Sequence, residues 1–252
     1  GITCPSGSTA GGTTSATNAS STAYAQTCSA NAGYKFSATC SVNWKINKAT
    51  PTITLYDAAS AGSVVSAGAS RGAITYGGNI VTYASPSVAG KITASSSSTT
   101  YVTVSPTSTT TATNAGSRTA VTATGAKYTT TAQTITVTLT PTDTTNYNNA
   151  TTTYKHTVGK ANGSVSLSPT SETLTYGTSA TSTITRVGDG ALSCTSSDTT
   201  VATCSISGTT LTIVPVANTA DGKTATITVN AAAGTNHAAA SATYSATVNR
   251  KA

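Results

Sequence analysis

The stretch Thr140–Gly163, TPTDTTNYNNATTTYKHTVGKANG, decides how this chain is read, because shorter versions of it stand at two other places. Gly234–Lys251 reads GTNHAAASATYSATVNRK, and Asn31–Pro51 reads NAGYKFSATCSVNWKINKATP. An ending written three times marks a module written three times, and self-similarity of this kind is sought before any motif. The order of landmarks upstream supports this. Ala73–Gly77 (AITYG) matches Thr173–Gly177 (TLTYG), and at the same offset Gly90–Val104 (GKITASSSSTTYVTV) matches Gly190–Cys204 (GALSCTSSDTTVATC). Gln133–Val137 (QTITV) then matches Ala225–Val229 (ATITV), and Asn146-Tyr147 matches Asn236-His237. Val158-Gly159-Lys160 matches Val248-Asn249-Arg250, and Ile46-Asn47-Lys48 closes the first piece.

Within each module the apolar residues have a period of two. Thr134–Thr140 (TITVTLT) puts Ile135, Val137 and Leu139 on one face and threonine on the other. Thr224–Val229 (TATITV) repeats the device with Ala225, Ile227 and Val229. Strict alternation is the signature of a half-buried strand. No window has the spacing of an amphipathic helix. The expected fold is all-β: immunoglobulin-like sandwiches in tandem, forming an extended rod. The boundaries are 1–48 for an incomplete N-terminal β module, 49–160 for one sandwich and 161–252 for another. The second module is longer in two places, Ala58–Ser70 and Ser108–Lys127, both read as loop-like insertions rich in Gly, Ser and Ala. The joints NKATP and GKANG contain no flexible tract, so neighbouring modules are expected to touch.

At this point the residues resemble a family. Ser196–Ile213, SSDTTVATCSISGTTLTI, resembles the bacterial Ig-like repeats of adhesins, invasin- and intimin-type proteins and other large surface proteins. Leu139–Tyr154 followed by Val158–Ala161 is similar to the closing strands of such repeats. Cys204 stands where the pattern has Val, and the second module has TTYVTV in place of the VATV core. The resemblance covers 48–252 and implies an extracellular stalk or spacer, in some members tipped by a binding module.

Composition narrows the function classes. Charged residues are 8% of the chain and the net charge is +7, with Lys and Arg scattered singly, so no basic face suited to nucleic acid is expected. Methionine is absent, which is read as the mark of a processed or excised segment, and no apolar run is long enough to span a membrane. Five cysteines point to an oxidising compartment and hence to an extracellular, cell-surface location. Cys194 and Cys204 flank a symmetric TSSDTTVAT, and their equivalents in the second module are Ala94 and Val104. That exchange favours a core-facing disulfide, worth on the order of 3 kcal/mol for so short a loop. Among Cys4, Cys28 and Cys40 two pairings stand open: Cys28 with Cys40, which leaves Cys4 unpaired or bonded to another chain, or Cys4 with Cys28.

No residue is expected to be catalytic. His156 and His237 read as packing or rim positions, without a nucleophile-and-orienter arrangement. No metal or cofactor is expected, since the six acids are spread out and no CxxC occurs. Lys91, Lys155 and Lys223, with Asn146 and Asn236, would be the pieces of an internal Lys–Asn cross-link, and solvated lysines are the simpler reading. Tyr101, Tyr128 and Tyr147 are candidate sugar platforms, Tyr76 and Tyr176 read as strand-end residues, and Phe36 with Trp44 is expected to share a strand face. The first reading is a structural stalk or fibre subunit, self-assembling through strand-edge or disulfide contacts, with the first module completed by a neighbour's strands. The alternative is an adhesin module for a glycan or host protein.

Overall fold

The computed structural model describes residues 3–13, 15–36, 40–216 and 221–251. The first piece is a single antiparallel sheet of β1 (Ser8–Gly12), β2 (Tyr24–Ala30) and β3 (Ser41–Trp44), in that order. Phe36 lies outside β3 and is exposed, so it does not share a strand face with Trp44. Trp44 instead leans on Tyr24 directly across the strand pair, ring centroids 4.9 Å apart.

The second piece has nine strands: β4 (Ile53–Tyr56), β5 (Val64–Val65), β6 (Ser70–Thr75), β7 (Asn79–Pro86), β8 (Gly90–Ser96), β9 (Val102–Ser105), β10 (Thr119–Gly125), β11 (Thr129–Pro141) and β12 (Ala150–Gly159). They form two sheets, β5-β4-β7-β10-β9 and β6-β12-β11-β8. The third piece has β13 (Ser164–Ser168), β14 (Ser171–Thr175), β15 (Ala180–Val187), β16 (Leu192–Ser196), β17 (Ala202–Ser207), β18 (Thr210–Pro215), β19 (Lys223–Ala231) and β20 (Ala240–Asn249). Its sheets are β13-β15-β18-β17 and β14-β20-β19-β16. Apart from the extra hairpin strand β5 the two orders are the same. They are the two sheets of an immunoglobulin-type sandwich, whose opening strand crosses from one sheet to the other. That crossing puts β6 and β14 in parallel beside the closing strands β12 and β20, where Ile74 faces Val158 and Leu174 faces Val248.

The alternating runs carry the cores. In β11 every second residue from Gln133 to Pro141 is buried, and Ile135, Val137 and Leu139 are fully enclosed with Tyr154 of β12. Ile227, Val229 and Tyr244 repeat this in the third piece. One expected insertion needs correction. Ser108–Lys127 contains β10, whose Val121 and Ala123 are completely buried, so only its first half is loop. Small residues between threonines looked like turn chemistry, but their period of two was a strand's. At the entry to β8 and β16 an equivalent glycine pair has a steric cause: a Cβ at Gly90 would meet Thr140 O at 2.5 Å, and one at Gly190 would meet Ala232 O at 1.8 Å.

Replacing Leu211, which is fully buried, by alanine should cost about 2–5 kcal/mol. Hydrogen exchange resolved by peptide should show the loss in β13–β20 and leave β11 and β12 protected. Equal loosening of both sandwiches would mean that they do not have separate cores.

Candidate functional site

The most elaborate polar chemistry of the molecule lies where one module meets the next. At the first joint Ala49 donates its N–H to Asn146 O (2.9 Å) and its carbonyl accepts from Asn148 N (2.8 Å). At the second joint Ala161 donates to Asn236 O (2.9 Å) and accepts from Ala238 N (2.8 Å). In both cases the first residue of the module, directly after the lysine that closes the module before, forms a short parallel bridge to its own module's last loop. The lysine itself reaches the same loop: Lys48 Nζ donates to Thr144 O (2.6 Å) and Lys160 Nζ to Gly234 O (2.7 Å). Thr144 and Gly234 each stand two residues before the recurring asparagine.

The asparagine side chains face back across the joint. Asn146 Oδ1 accepts the N–H of Ala19 in the first module (2.7 Å), and its Nδ2 donates to Asn18 Oδ1 (3.0 Å). Asn236 Oδ1 accepts the N–H of Tyr128 in the second module (2.9 Å). Each asparagine is itself held by an aspartate, but from a different place. Asp143, in the same loop, accepts the N–H groups of Thr145 and Asn146 and the Asn146 side chain, which holds its carboxyl below the usual range. Asp189, from the β15–β16 loop, accepts from Asn236 N (2.9 Å), His237 N (3.2 Å) and His237 Nδ1 (3.1 Å). Its pKa is lowered to about 2, above all by the Asn236 N–H, with burial opposing and His237 adding to the effect. The second joint also has aromatic contacts: Tyr76 meets the edge of His237 at 5.3 Å, and the Lys160 ammonium stands 5.1 Å from the Tyr128 ring centre.

The structure therefore gives Asn146, Asn236, Lys160, Tyr128 and His237 one shared role that composition and spacing did not suggest. The signal was present in the recurrence of Asn146 and Asn236 ahead of each closing strand, but nothing in the order of residues showed that they met Lys48-Ala49 and Lys160-Ala161. Tyr128 is occupied by the joint and Tyr101 packs on the second core, so neither is an open platform. Lys91, Lys155 and Lys223 are all exposed, which removes the buried setting a Lys–Asn cross-link requires. His156 is buried, with Nδ1 on Gly72 O (3.1 Å), and burial lowers its pKa.

The cysteines divide as follows. Cys194 of β16 is bonded to Cys204 of β17, Cα atoms 6.3 Å apart. These strands belong to opposite sheets, so the bond ties the two layers rather than the two arms of a hairpin. In the first module Cys4 is bonded to Cys28 and Cys40 is a free thiol, so the pairing of Cys28 with Cys40 is corrected. Cys28 N donates to Cys40 O (2.9 Å), which makes them a hydrogen-bonded cross-strand pair, the wider of the two kinds in an antiparallel ladder. Cys4 arrives from the preceding turn and comes to 5.7 Å, Cα to Cα, from Cys28.

No family model matches the chain, and no curated protein does. Among solved structures it is similar to titin domains z1z2 in complex with telethonin, with a TM-score of 0.39 at 14% identity over 82% of this chain and 98% of that one. A three-domain I-band fragment of titin gives 0.39 at 11% identity, over 91% of this chain and 75% of that one. Domains 4 and 5 of the S-layer protein SbsC give 0.35 at 16% identity, over 80% and 100%.

The Asp189 hydrogen bonds have a definite pH sign. A carboxyl at about 2 in the folded joint, against an ordinary 3.8, favours the joint fully above pH 3.8, and that contribution is lost as pH falls through about 2. The Asn236 amide resonance should titrate with a midpoint near 2, and Asp189→Asn should remove that titration. A midpoint at the ordinary aspartate value would show that the loop does not hold the carboxyl.

Proposed function

We propose that this chain is a structural, extracellular protein: a run of immunoglobulin-type sandwiches in which spacing and stiffness are the function, as in a stalk or fibre subunit of a cell surface. The observation that carries the reading is the repetition of the joint. Two joints at different places in the chain use the same Lys-Ala pair, the same carbonyl two residues before an asparagine, and the same asparagine carbonyl reaching back. A linker that only connects has no need of a repeated set of hydrogen bonds.

Other features support it. Two disulfides suit an oxidising exterior. The outward strand faces are mostly threonine and serine, which are neutral and hydrated, with single lysines such as Lys91, Lys155 and Lys223 among them. The two His side chains are taken up by packing and by the joint. The resemblance of Ser196–Ile213 to bacterial surface repeats is in keeping with this, and the cell-surface setting rests on it.

Small-angle X-ray scattering of the native chain, compared with Asn146→Ala/Asn236→Ala, tests the reading. The native chain should give one narrow distribution of interatomic distances, and the double variant a broader one at unchanged strand content. Each lost hydrogen bond is worth about 1 kcal/mol, enough to loosen a joint without unfolding a sandwich. A native chain as broadly distributed as the variant would sink the proposal.

A further inference from the structure

The second sandwich buries polar groups along its β6–β12 edge that neither the core nor the joints use. Tyr154, His156 and Thr82 are completely buried, and Gln133, opposite His156 across the β11–β12 ladder, is nearly so. At the same register positions the third sandwich has Tyr244, Ala246, Ser182 and Ala225.

The two edges are built differently. In the third sandwich Ser171, Glu172 and Thr173 pair one for one with Ser245, Ala246 and Thr247. In the second, Ser70 pairs with Lys155 and Ala73 with Thr157, so Arg71 and Gly72 together stand opposite His156. The extra residue makes a β-bulge, a device that re-aims a side chain, and Gly72 takes the left-handed backbone with φ 82°. Arg71 crosses from its own sheet to β7 in the other, where its guanidinium donates to Val81 O (3.0 Å) and to Thr82 Oγ1. Both partners are neutral, and no acid pairs with Arg71 among the described residues.

The exchange removes an acceptor and leaves donors behind. In the third sandwich Glu172 accepts from the Tyr244 hydroxyl (3.4 Å). In the second, the Tyr154 hydroxyl and His156 Nε2 are buried without a hydrogen-bond partner. The imidazole takes up volume edge-on to Tyr154 but does not accept its proton. Gln133 cannot serve either group, since its amide donates to Thr131 O (3.0 Å) and accepts from Ser97 Oγ (3.2 Å). Buried polar groups without partners are costly, and a half-buried guanidinium ordinarily has an anion beside it. At Gly72 the edge opens to solvent, and a Cβ built there would meet no atom within 4 Å.

We propose that Arg71, Tyr154 and His156 form an edge site for a small carboxylate, which enters beside Gly72 and takes the part that the Glu172 carboxylate plays in the third sandwich. A guanidinium fork matches the two oxygens of a carboxylate. The Tyr154 hydroxyl gives the ligand the bond that Tyr244 gives Glu172. His156 couples the site to protons. Its Nδ1 lies on Gly72 O (3.1 Å), which only accepts, so Nδ1 carries the ring proton and Nε2 is a bare lone pair. A carboxylate is repelled by that lone pair, so it binds with one proton taken from solution onto Nε2, and an anion and a proton enter together. The groups facing the imidazole are Arg71 and Gly72 from β6, Gln133 from β11 and Tyr154 from β12 itself. Of these Arg71 alone is charged at neutral pH. Burial above all lowers the His156 pKa; Gly72 O opposes this and the Arg71 charge adds to it.

The test is a titration of the native chain with sodium formate, exchanged for sodium chloride at constant ionic strength. The imidazole resonances of His156 are the readout, with those of His237 as an internal control. The expected result is a saturable shift of His156 toward its protonated position at millimolar formate, with His237 unmoved. Above the His156 midpoint the affinity should fall by up to about tenfold per pH unit, the slope of one proton per anion. Arg71→Gln should abolish the response while the Ile135 and Val137 amides stay protected from exchange. Tyr154→Phe, which removes a single oxygen, should weaken it, and decides the matter if Arg71→Gln does not fold. No saturable shift up to roughly 100 mM formate would overturn the proposal. So would an undiminished response in these variants, an affinity indifferent to pH, or equal movement of His237. None of the three residues takes part in the joints, so this inference and the structural role can fail separately.

Discussion

Ala49 and Ala161, each the first residue of its module, make both backbone hydrogen bonds to that module's last loop directly after the lysine that closes the module before, and the rest of the molecule is arranged around that constraint. A residue tied on both sides cannot act as a hinge. The closing strand of one sandwich therefore ends at the surface of the next, and the last loop of each sandwich has to come back to meet it. That is why Asn146 and Asn236 sit in the β11–β12 and β19–β20 loops, far in sequence from the joints they make. It is also why an aspartate is required beside each, since a loop whose side chain must point across a gap needs its own backbone fixed first.

The two sandwiches reach the same shape with different interior polar groups. Tyr154 and Tyr244 are equivalent and both fully buried. In the third module the Tyr244 hydroxyl donates to Glu172 (3.4 Å), and burial together with that carboxylate raises its pKa to about 12. In the second module the position of Glu172 is Gly72, and an imidazole, His156, lies edge-on to Tyr154 at 5.5 Å. Glycine at one place and histidine at the other fill the space that glutamate and alanine fill in the other copy. The disulfide follows the same pattern of local exchange: Cys194 and Cys204 replace Ala94 and Val104 at a point where both sheets come close.

Much of the fold was legible because a period of two is hard to counterfeit over nine residues, and because the same landmarks recur in the same order. The alternation of Ile135, Val137 and Leu139 gave the inner face of β11 without any coordinates. The strand β10 was harder, since Thr119–Gly125 buries only valine and alanine and so lacks the bulky residues that announce a core. The joints were legible as short but not as bonded. Whether Asn146 meets Ala19 depends on chain folding across a sequence separation of 127, and no local pattern encodes that distance. The cysteines show the same limit: spacing allowed two pairings in the first module, and only the approach of Cys4 to Cys28 in three dimensions separates them.

The parallel placement of β6 beside β12, and of β14 beside β20, sets how a sandwich would answer a pull on its two ends. Such a pull would reach β6 or β14 from the start of the sandwich and β12 or β20 from its end. Those two strands run the same way, side by side, so the pull slides one along the other and strains every bond of the ladder at once. An antiparallel pair joined by a hairpin would instead open from its free end, one bond after another. The crossing of the opening strand between sheets thus turns a row of individually weak hydrogen bonds into a clamp that yields all together.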